Sequence, residues 1–235
     1  MNTKIITGIC VFFAFAKALS QQLNAPDIVN KAIMYHDPNG NWPTFQGEFT
    51  LALDMPGKPS RKSTITIDSP EQYFKLSVQQ GKTITISEIK EDQCNLTNKD
   101  GKTITTKIND TQCERTSLFR NYYSYLYGLP MKLKDQGTHI DPKAERVTFK
   151  GKEYLKVRVT YDKNVGTDIW QFYFNPKTYA MEVYQFFKGG PDETTGEYIL
   201  LSDIETINEI KFPKNRAWYY NKDNSYLATD KIISK

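Results

Sequence analysis

Histidine is nearly absent from this chain: of 235 residues, only His36 and His139 are histidines. A histidine-rich metal centre is therefore excluded. His36 is followed by Asp37, and this pair has three interpretations: an acid–base dyad, half of a metal site, or a polar turn at the end of a helix. The turn is favoured because a Pro-Asn-Gly run follows directly. We interpret His139 as part of an exposed loop.

Sequence motifs for the common reaction types are also absent. The chain has no Gly-x-Ser-x-Gly, no His-Glu-x-x-His and no Gly-x-Gly-x-x-Gly. Two Gly-Lys-Thr triplets begin at Gly81 and Gly101, but a phosphate-binding loop needs another glycine five residues earlier, where Leu76 and Leu96 stand. We interpret both triplets as hairpin turns. We therefore expect a protein that is not an enzyme and that uses no cofactor and no metal.

A large excess of charge of one sign is missing as well. The chain has 31 Lys and Arg against 27 Asp and Glu, and removal of Lys4 and Lys17 with a leader leaves 29 against 27. This balance argues against nucleic acid as a partner. Beyond the first twenty residues, no apolar run is long enough to span a bilayer, so we expect no transmembrane segment.

The first twenty residues follow the pattern of a cleavable secretory signal. Lys4 precedes an apolar run over 5–15, and small residues alternate from Ala16 to Ser20. A membrane anchor is the alternative, but Lys17 interrupts the run too early. We expect a signal peptide at 1–20, with cleavage after Ser20 preferred over cleavage after Ala18. Cys10 lies inside the apolar run and is interpreted as a filler of the signal.

Two cysteines remain in the exported chain, Cys94 and Cys113. An even pair in an oxidising compartment predicts a disulfide. A short internal repetition supports the pairing. Gln-Cys at 93–94 is repeated nineteen residues later at 112–113, and Gly-Lys-Thr-Ile-Thr at 81–85 is repeated at 101–105. Two neighbouring hairpins with matched cysteines would bring the two sulfur atoms together.

Hydrophobic periodicity predicts a mainly β protein with two or three helices, in the α+β class. One helix begins at a cap residue, Asn24, and ends before 37–40, and a second covers 114–127. Between and after them, alternating apolar residues separated by turn signals predict about ten or eleven antiparallel strands, and 132–142 is read as polar loop. With no linker between the halves, we expect one domain over 21–235. A sheet of this size curls, which predicts an incomplete barrel with a helical cover.

Several sequence segments resemble a known superfamily. The hairpin over 170–179 and the segment over 207–213 are similar to the recurrent strand–turn–strand units of the periplasmic lipoprotein-carrier (LolA/LolB-like) superfamily. More closely, Tyr-His-Asp-Pro at 35–38, Tyr-Leu-Tyr-Gly-Leu-Pro-Met at 125–131 and Arg-Ala-Trp-Tyr at 216–219 resemble an uncharacterised exported bacterial family. The resemblance implies a half-barrel whose apolar concave face is covered by helices, binding of acyl chains or other apolar ligands, and a location in the periplasm or at the outer membrane.

The candidate binding residues lie on the second helix and on one strand. The helix carries an aromatic stripe, which is either a lid over an apolar site or core packing, and Arg115 and Arg120 beside it can receive an anionic group or simply face solvent. The strand over 170–174 would form a wall beneath the lid, with alternate residues pointing inward. The candidate ligand-binding residues are Arg115, Phe119, Tyr122, Tyr123, Leu126, Trp170, Phe172 and Phe174.

Two functions are consistent with these features. The first is a monomeric envelope protein that binds a lipid, an acylated protein or another apolar small molecule without catalysis. The second is an envelope scaffold or interaction module whose barrel is filled by its own side chains. A cavity of several hundred Å³ would favour the first function, and a solid core would favour the second.

Overall fold

The computed structural model describes residues 23–98, 100–190 and 194–233, and the signal peptide expected at 1–20 lies outside them. These residues form one antiparallel sheet of fourteen strands together with two α-helices, α1 (Ala25–His36) and α2 (Glu114–Gly128). The strands are β1 (Gln46–Asp54), β2 (Arg61–Asp68), β3 (Tyr73–Gln80), β4 (Thr83–Lys90), β5 (Gln93–Thr97), β6 (Thr103–Lys107), β7 (Thr138–Ile140), β8 (Glu145–Phe149), β9 (Lys152–Tyr161), β10 (Ile169–Phe174), β11 (Met181–Phe187), β12 (Glu197–Ile207), β13 (Ile210–Tyr220) and β14 (Tyr226–Ile233).

The sheet is open, and its two halves join where the first strand, β1, pairs with the last, β14. Its order runs from β6 back to β1, then through β14 back to β9 and β7, while β8 pairs with β9 outside this path. The β1–β14 pairing, for example Leu51 opposite Ile232, therefore connects the N-terminal meander to the C-terminal one. The predicted α+β class and antiparallel pairing are confirmed.

The predicted count of ten or eleven strands is wrong, because the described part of the chain forms fourteen. Strands that the hydrophobic periodicity does not predict are short and have few buried side chains. Strand β7 has three residues, inside the segment predicted to be a loop, and β6 has five, of which four are exposed. A strand buried on neither face has little apolar alternation, so periodicity does not distinguish it from a polar loop.

Helix α1 begins and ends at the residues that its sequence indicates. The Asn24 side chain accepts the Asp27 N–H at 3.0 Å, Pro26 lies in the first turn, and the Asp37 N–H donates to the Ile33 carbonyl at 2.7 Å. The buried face carries Ala25, Ile28, Val29 and Ala32. This face packs into the main core, which fixes the helix against one face of the sheet.

Helix α2 packs against the same face as α1, called the inner face here. Tyr123, Leu126 and Tyr127 are buried in the main core, and the Tyr127 and Phe49 rings lie 4.7 Å apart. Leu118 on the outer side of the helix is 68% exposed. The core thus continues from the strands into the second half of α2.

The predicted disulfide between Cys94 and Cys113 is confirmed. It joins β5 to the short 3-10 turn that precedes α2, and both cysteines are fully buried beside Ile89. The bond therefore anchors the start of α2 to the outer strands. Among the residues that the structure describes, no helix has the length and apolarity needed to cross a membrane.

Candidate functional site

A cavity of about 490 Å³ lies between the last turns of α2 and strands of both halves of the sheet. Five aromatic side chains line it, together with aliphatic residues of β1 and β14, and we call it the aromatic cavity. Its volume falls in the range of about 300–1,000 Å³ that is typical of small-molecule sites. The aromatic residues are Tyr122 and Tyr125 of α2, Trp170, Phe186 and Trp218.

Trp170 is the centre of one wall. Because it lies opposite Phe186 across the β10–β11 pair, their rings stack at 5.0 Å, and the Tyr125 ring meets Trp170 edge-on at 5.4 Å. Tyr122 stands at the mouth with 41% of its surface exposed. The cavity is therefore walled by rigid rings that fix its shape and offer an apolar surface to a ligand.

Three carboxylates face this cavity: Asp168, Glu197 and Asp230. Burial raises the pKa of Glu197, and nearby Lys188 opposes the shift. Burial also raises the pKa of Asp230, opposed by the charges of Arg216 and Arg61 and by a hydrogen bond from Trp218 Nε1 at 3.2 Å. The polar part of this apolar cavity is thus predominantly acidic.

A buried arginine on β13 lies next to residues that line the cavity. Arg216 is 1% exposed and lies opposite Asp230 across the β13–β14 pair, and its Nη1 donates to the Pro213 carbonyl at 2.8 Å. Its guanidinium lies 3.7 Å from the centre of the Tyr127 ring on α2. This cation–π contact attaches the helix to the sheet directly beneath the cavity.

A second groove of about 490 Å³ lies beside the first turns of α2, over β3 to β6. We call it the basic groove, because Arg61, Lys102 and Arg115 line it and none of its described lining residues is an Asp or Glu. Arg61 lines both the basic groove and the aromatic cavity. The two sites therefore meet at this side chain, beneath the middle of α2.

The structure divides the predicted ligand-binding residues among three places. Tyr122, Leu126 and Trp170 line the aromatic cavity, and Arg115 and Phe119 line the basic groove, where the guanidinium lies 5.4 Å from the phenyl ring centre. Tyr123, Phe172 and Phe174 lie in the core at 4% exposure or less and reach neither cavity. Arg120, the other arginine of the helix, donates from Nε to Asn121 and lines neither site.

Sequence reasoning missed three of the cavity aromatics, which are Tyr125, Phe186 and Trp218. It also missed the three carboxylates and two arginines, Arg61 and Arg216. A signal for Arg216 is its spacing of two from Trp218, which places both side chains on one face of β13. No local signal identifies Arg61 or Glu197, because they approach the cavity from strands far apart in the chain.

The two histidines lie outside both sites. His36 is buried, with Nδ1 at 2.6 Å from the Lys211 carbonyl and Nε2 accepting the Met181 N–H at 3.0 Å. Asp37 accepts the N–H groups of Asn41 and Trp42, which is a turn role. His139 is exposed and lies 2.7 Å from Asp162. Within the described ranges, no cluster of three His, Cys, Asp or Glu side chains is placed to hold a metal ion.

Comparison with solved structures defines the class of fold. The structure is similar to a LolA superfamily protein from Nitrosomonas europaea, with a TM-score of 0.53, 8% identity, and coverage of 90% of this chain and 92% of that one. A DUF1329 family protein from Desulfovibrio piger is similar at a TM-score of 0.52, with 9% identity and coverage of 88% and 90%. The fold is therefore LolA-like, as the sequence resemblance implied.

The chain belongs to a family of unknown function, DUF6503, whose profile matches residues 4–235. No curated protein matches the sequence.

Proposed function

We propose that this protein is exported, and that it binds a lipid, an acylated protein or another apolar ligand in the aromatic cavity without catalysing a reaction. The observation that carries the proposal is the aromatic cavity itself, about 490 Å³ of space beneath α2 that is walled by five aromatic rings. A domain with a solid core has no such space next to a helix. The LolA-like fold supports the proposal at the level of architecture.

Export is supported by the N-terminal pattern and by the disulfide. A buried Cys94–Cys113 pair suits an oxidising compartment such as the periplasm or the outer-membrane surface. We propose further that the chain over 21–235 acts as one domain and as a monomer. The scaffold alternative would require that the aromatic cavity stays empty in the cell.

Native mass spectrometry of the protein purified from its own host tests this proposal. We expect a bound species that adds the mass of a lipid or acyl compound and that dissociates on collisional activation. A Trp170→Ala variant, which removes the central ring of the wall, should carry less of the adduct. Protein that carries no adduct in either form, and that takes up no added lipid, would contradict the binding function and favour the scaffold.

A further inference from the structure

We propose that the basic groove holds the anionic group of an amphiphile whose apolar chain occupies the aromatic cavity. The ligand class is then a long-chain carboxylate or phosphate ester. This inference rests on the proposed function, because it assigns the head group of the ligand whose chain that function places in the cavity.

The charges of the two sites differ in sign. The basic groove offers Arg61, Lys102 and Arg115 and no carboxylate among its described lining residues. The aromatic cavity offers Asp168, Glu197 and Asp230 against the single cation Arg61. An anionic group at the mouth of the cavity would be repelled by those carboxylates. The same group in the basic groove meets three cations, so the field of the protein orients the amphiphile with its head beside the first turns of α2.

Arg61 connects the two sites and has capacity for a ligand. Its Nε is buried without a hydrogen-bond partner, and the Asp230 carboxylate in the aromatic cavity interacts with its charge without filling that position. A buried guanidinium N–H that is left unpaired is costly, and a carboxylate or phosphate oxygen is the acceptor that matches it best. Arg61 lines both sites, so an anion bound there can continue into a chain that enters the cavity.

The basic groove is itself shaped for an amphiphile. Leu76, Val78 and Leu96 supply an apolar floor, and Arg115 packs over the Phe119 ring at its rim. The groove lies at the start of a helix of fifteen residues, where the helix dipole adds to the attraction of an anion.

Competition binding with four ligands that share one chain tests the head group. Hexadecanoate, hexadecyl phosphate, hexadecanol and hexadecylamine displace a neutral fluorescent probe from the full exported protein and from its variants. We expect the carboxylate and the phosphate to bind about tenfold more tightly than the alcohol, as one or two charge-assisted hydrogen bonds would give. The amine should bind less tightly than both anionic ligands, because the three cations of the basic groove repel its charge. The carboxylate and phosphate arms show which anionic group is preferred.

The variants locate the anion. Arg61→Gln and Arg115→Gln should each remove most of the advantage of the anionic ligands. Arg115 lies outside the aromatic cavity, so Arg115→Gln should change hexadecanol affinity less than about twofold. Arg120→Gln is the matched control, because it removes the same charge from the same helix outside both sites. Arg115 is exposed, so its variant keeps the fold even if Arg61→Gln does not.

Each result decides the inference. Equal binding of all four ligands, tighter binding of the amine than of the two anionic ligands, or loss of anion preference with Arg120→Gln would overturn the head-group site and leave the apolar site standing. Absence of binding by every ligand would overturn the proposed function and this inference together.

Discussion

At the scale of single residues, His36 is the group whose burial most directly links protonation to stability. It is fully buried, its Nε2 accepts the Met181 N–H, and burial lowers its pKa from 6.5 to about 4, partly opposed by the hydrogen bond to the Lys211 carbonyl. A proton on Nε2 would remove that acceptor. The folded protein therefore requires neutral His36, which connects α1 to β11 and β13.

We expect the free energy of unfolding to fall as the pH is lowered from 6.5 towards 4. In this range the unfolded chain binds a proton at His36 that the folded chain does not, and above pH 6.5 both states are neutral. The full loss, reached below about pH 4, is about 3 kcal/mol. Urea unfolding at a series of pH values measures it. His36→Gln should flatten the slope, whereas the exposed control His139→Gln should retain it; an unchanged slope in His36→Gln would contradict the assignment.

Arg216 and Asp230 form a second test at this scale. Removing the buried cation leaves Asp230 without one of the charges that stabilise its ionised form and removes the contact with Tyr127. We expect Arg216→Met to destabilise the protein by about 1–3 kcal/mol, because the hydrogen bond to Pro213, the cation–π contact with Tyr127 and a charge that favours ionised Asp230 are all lost. Adding Asp230→Asn should recover part of that loss, because the uncompensated carboxylate is then gone. Strictly additive effects of the two substitutions in a double-mutant cycle would show that the residues are not coupled.

At the scale of elements, the disulfide determines how firmly the start of α2 is held. The bond closes a loop of nineteen residues between β5 and the helix, with Cα atoms 6.1 Å apart. We expect the Cys94→Ser/Cys113→Ser variant to lose about 3 kcal/mol of unfolding free energy, mainly because its unfolded chain gains freedom. Denaturant unfolding measures the loss, and treatment of the unaltered protein with a reductant should reproduce it. No change in midpoint would contradict a stabilising role.

The helices were predictable from the sequence, whereas the short strands were not. Helix α1 carries an Asn cap, an early proline and a regular apolar face, and α2 carries its aromatic stripe, so their observed bounds lie within about a residue of those expected. Strands β6 and β7 form ladders whose side chains are mostly uncovered, and backbone pairing leaves no mark on such a sequence.

The site was only partly predictable for a related reason. Alternation correctly places Trp170, Phe172 and Phe174 on one face of β10, but it does not show where along the strand the covering helix leaves space. Only Trp170 lies at that position, and Phe172 and Phe174 are sealed within the core. The charged residues enter the cavity from β2, β12, β14 and the position just before β10, so only tertiary structure brings them together.

At the scale of the whole molecule, the open sheet explains how an apolar cavity can persist. Strand β6 at one edge of the sheet does not pair with β7 or β8 at the other edge, so the sheet does not close into a barrel. Its inner face is covered instead by α1, α2 and core side chains. The first half of α2 is attached to the outer strands by the disulfide, and the second half by Tyr127 over Arg216. Between these attachments the helix passes over Arg61, where the aromatic cavity and the basic groove meet.

The central claim is that an apolar ligand enters the aromatic cavity beneath α2, and quenching of tryptophan fluorescence by a brominated long-chain alcohol tests it most directly. Of the three tryptophans, Trp170 and Trp218 line the cavity, whereas Trp42 packs on Phe45 elsewhere. We expect saturable quenching that survives Trp42→Phe and is lost in Trp170→Phe/Trp218→Phe.

Tyr122→Asp, which places a charge at the mouth, should abolish quenching with a modest loss of stability, because the side chain is 41% exposed and water can reach the carboxylate. Leu118→Asp, the same change one turn earlier on the exposed side of α2, should leave quenching intact. Quenching that persists in a folded Tyr122→Asp protein, or unfolding of that variant as if a solid core had been charged, would contradict the cavity as the binding site.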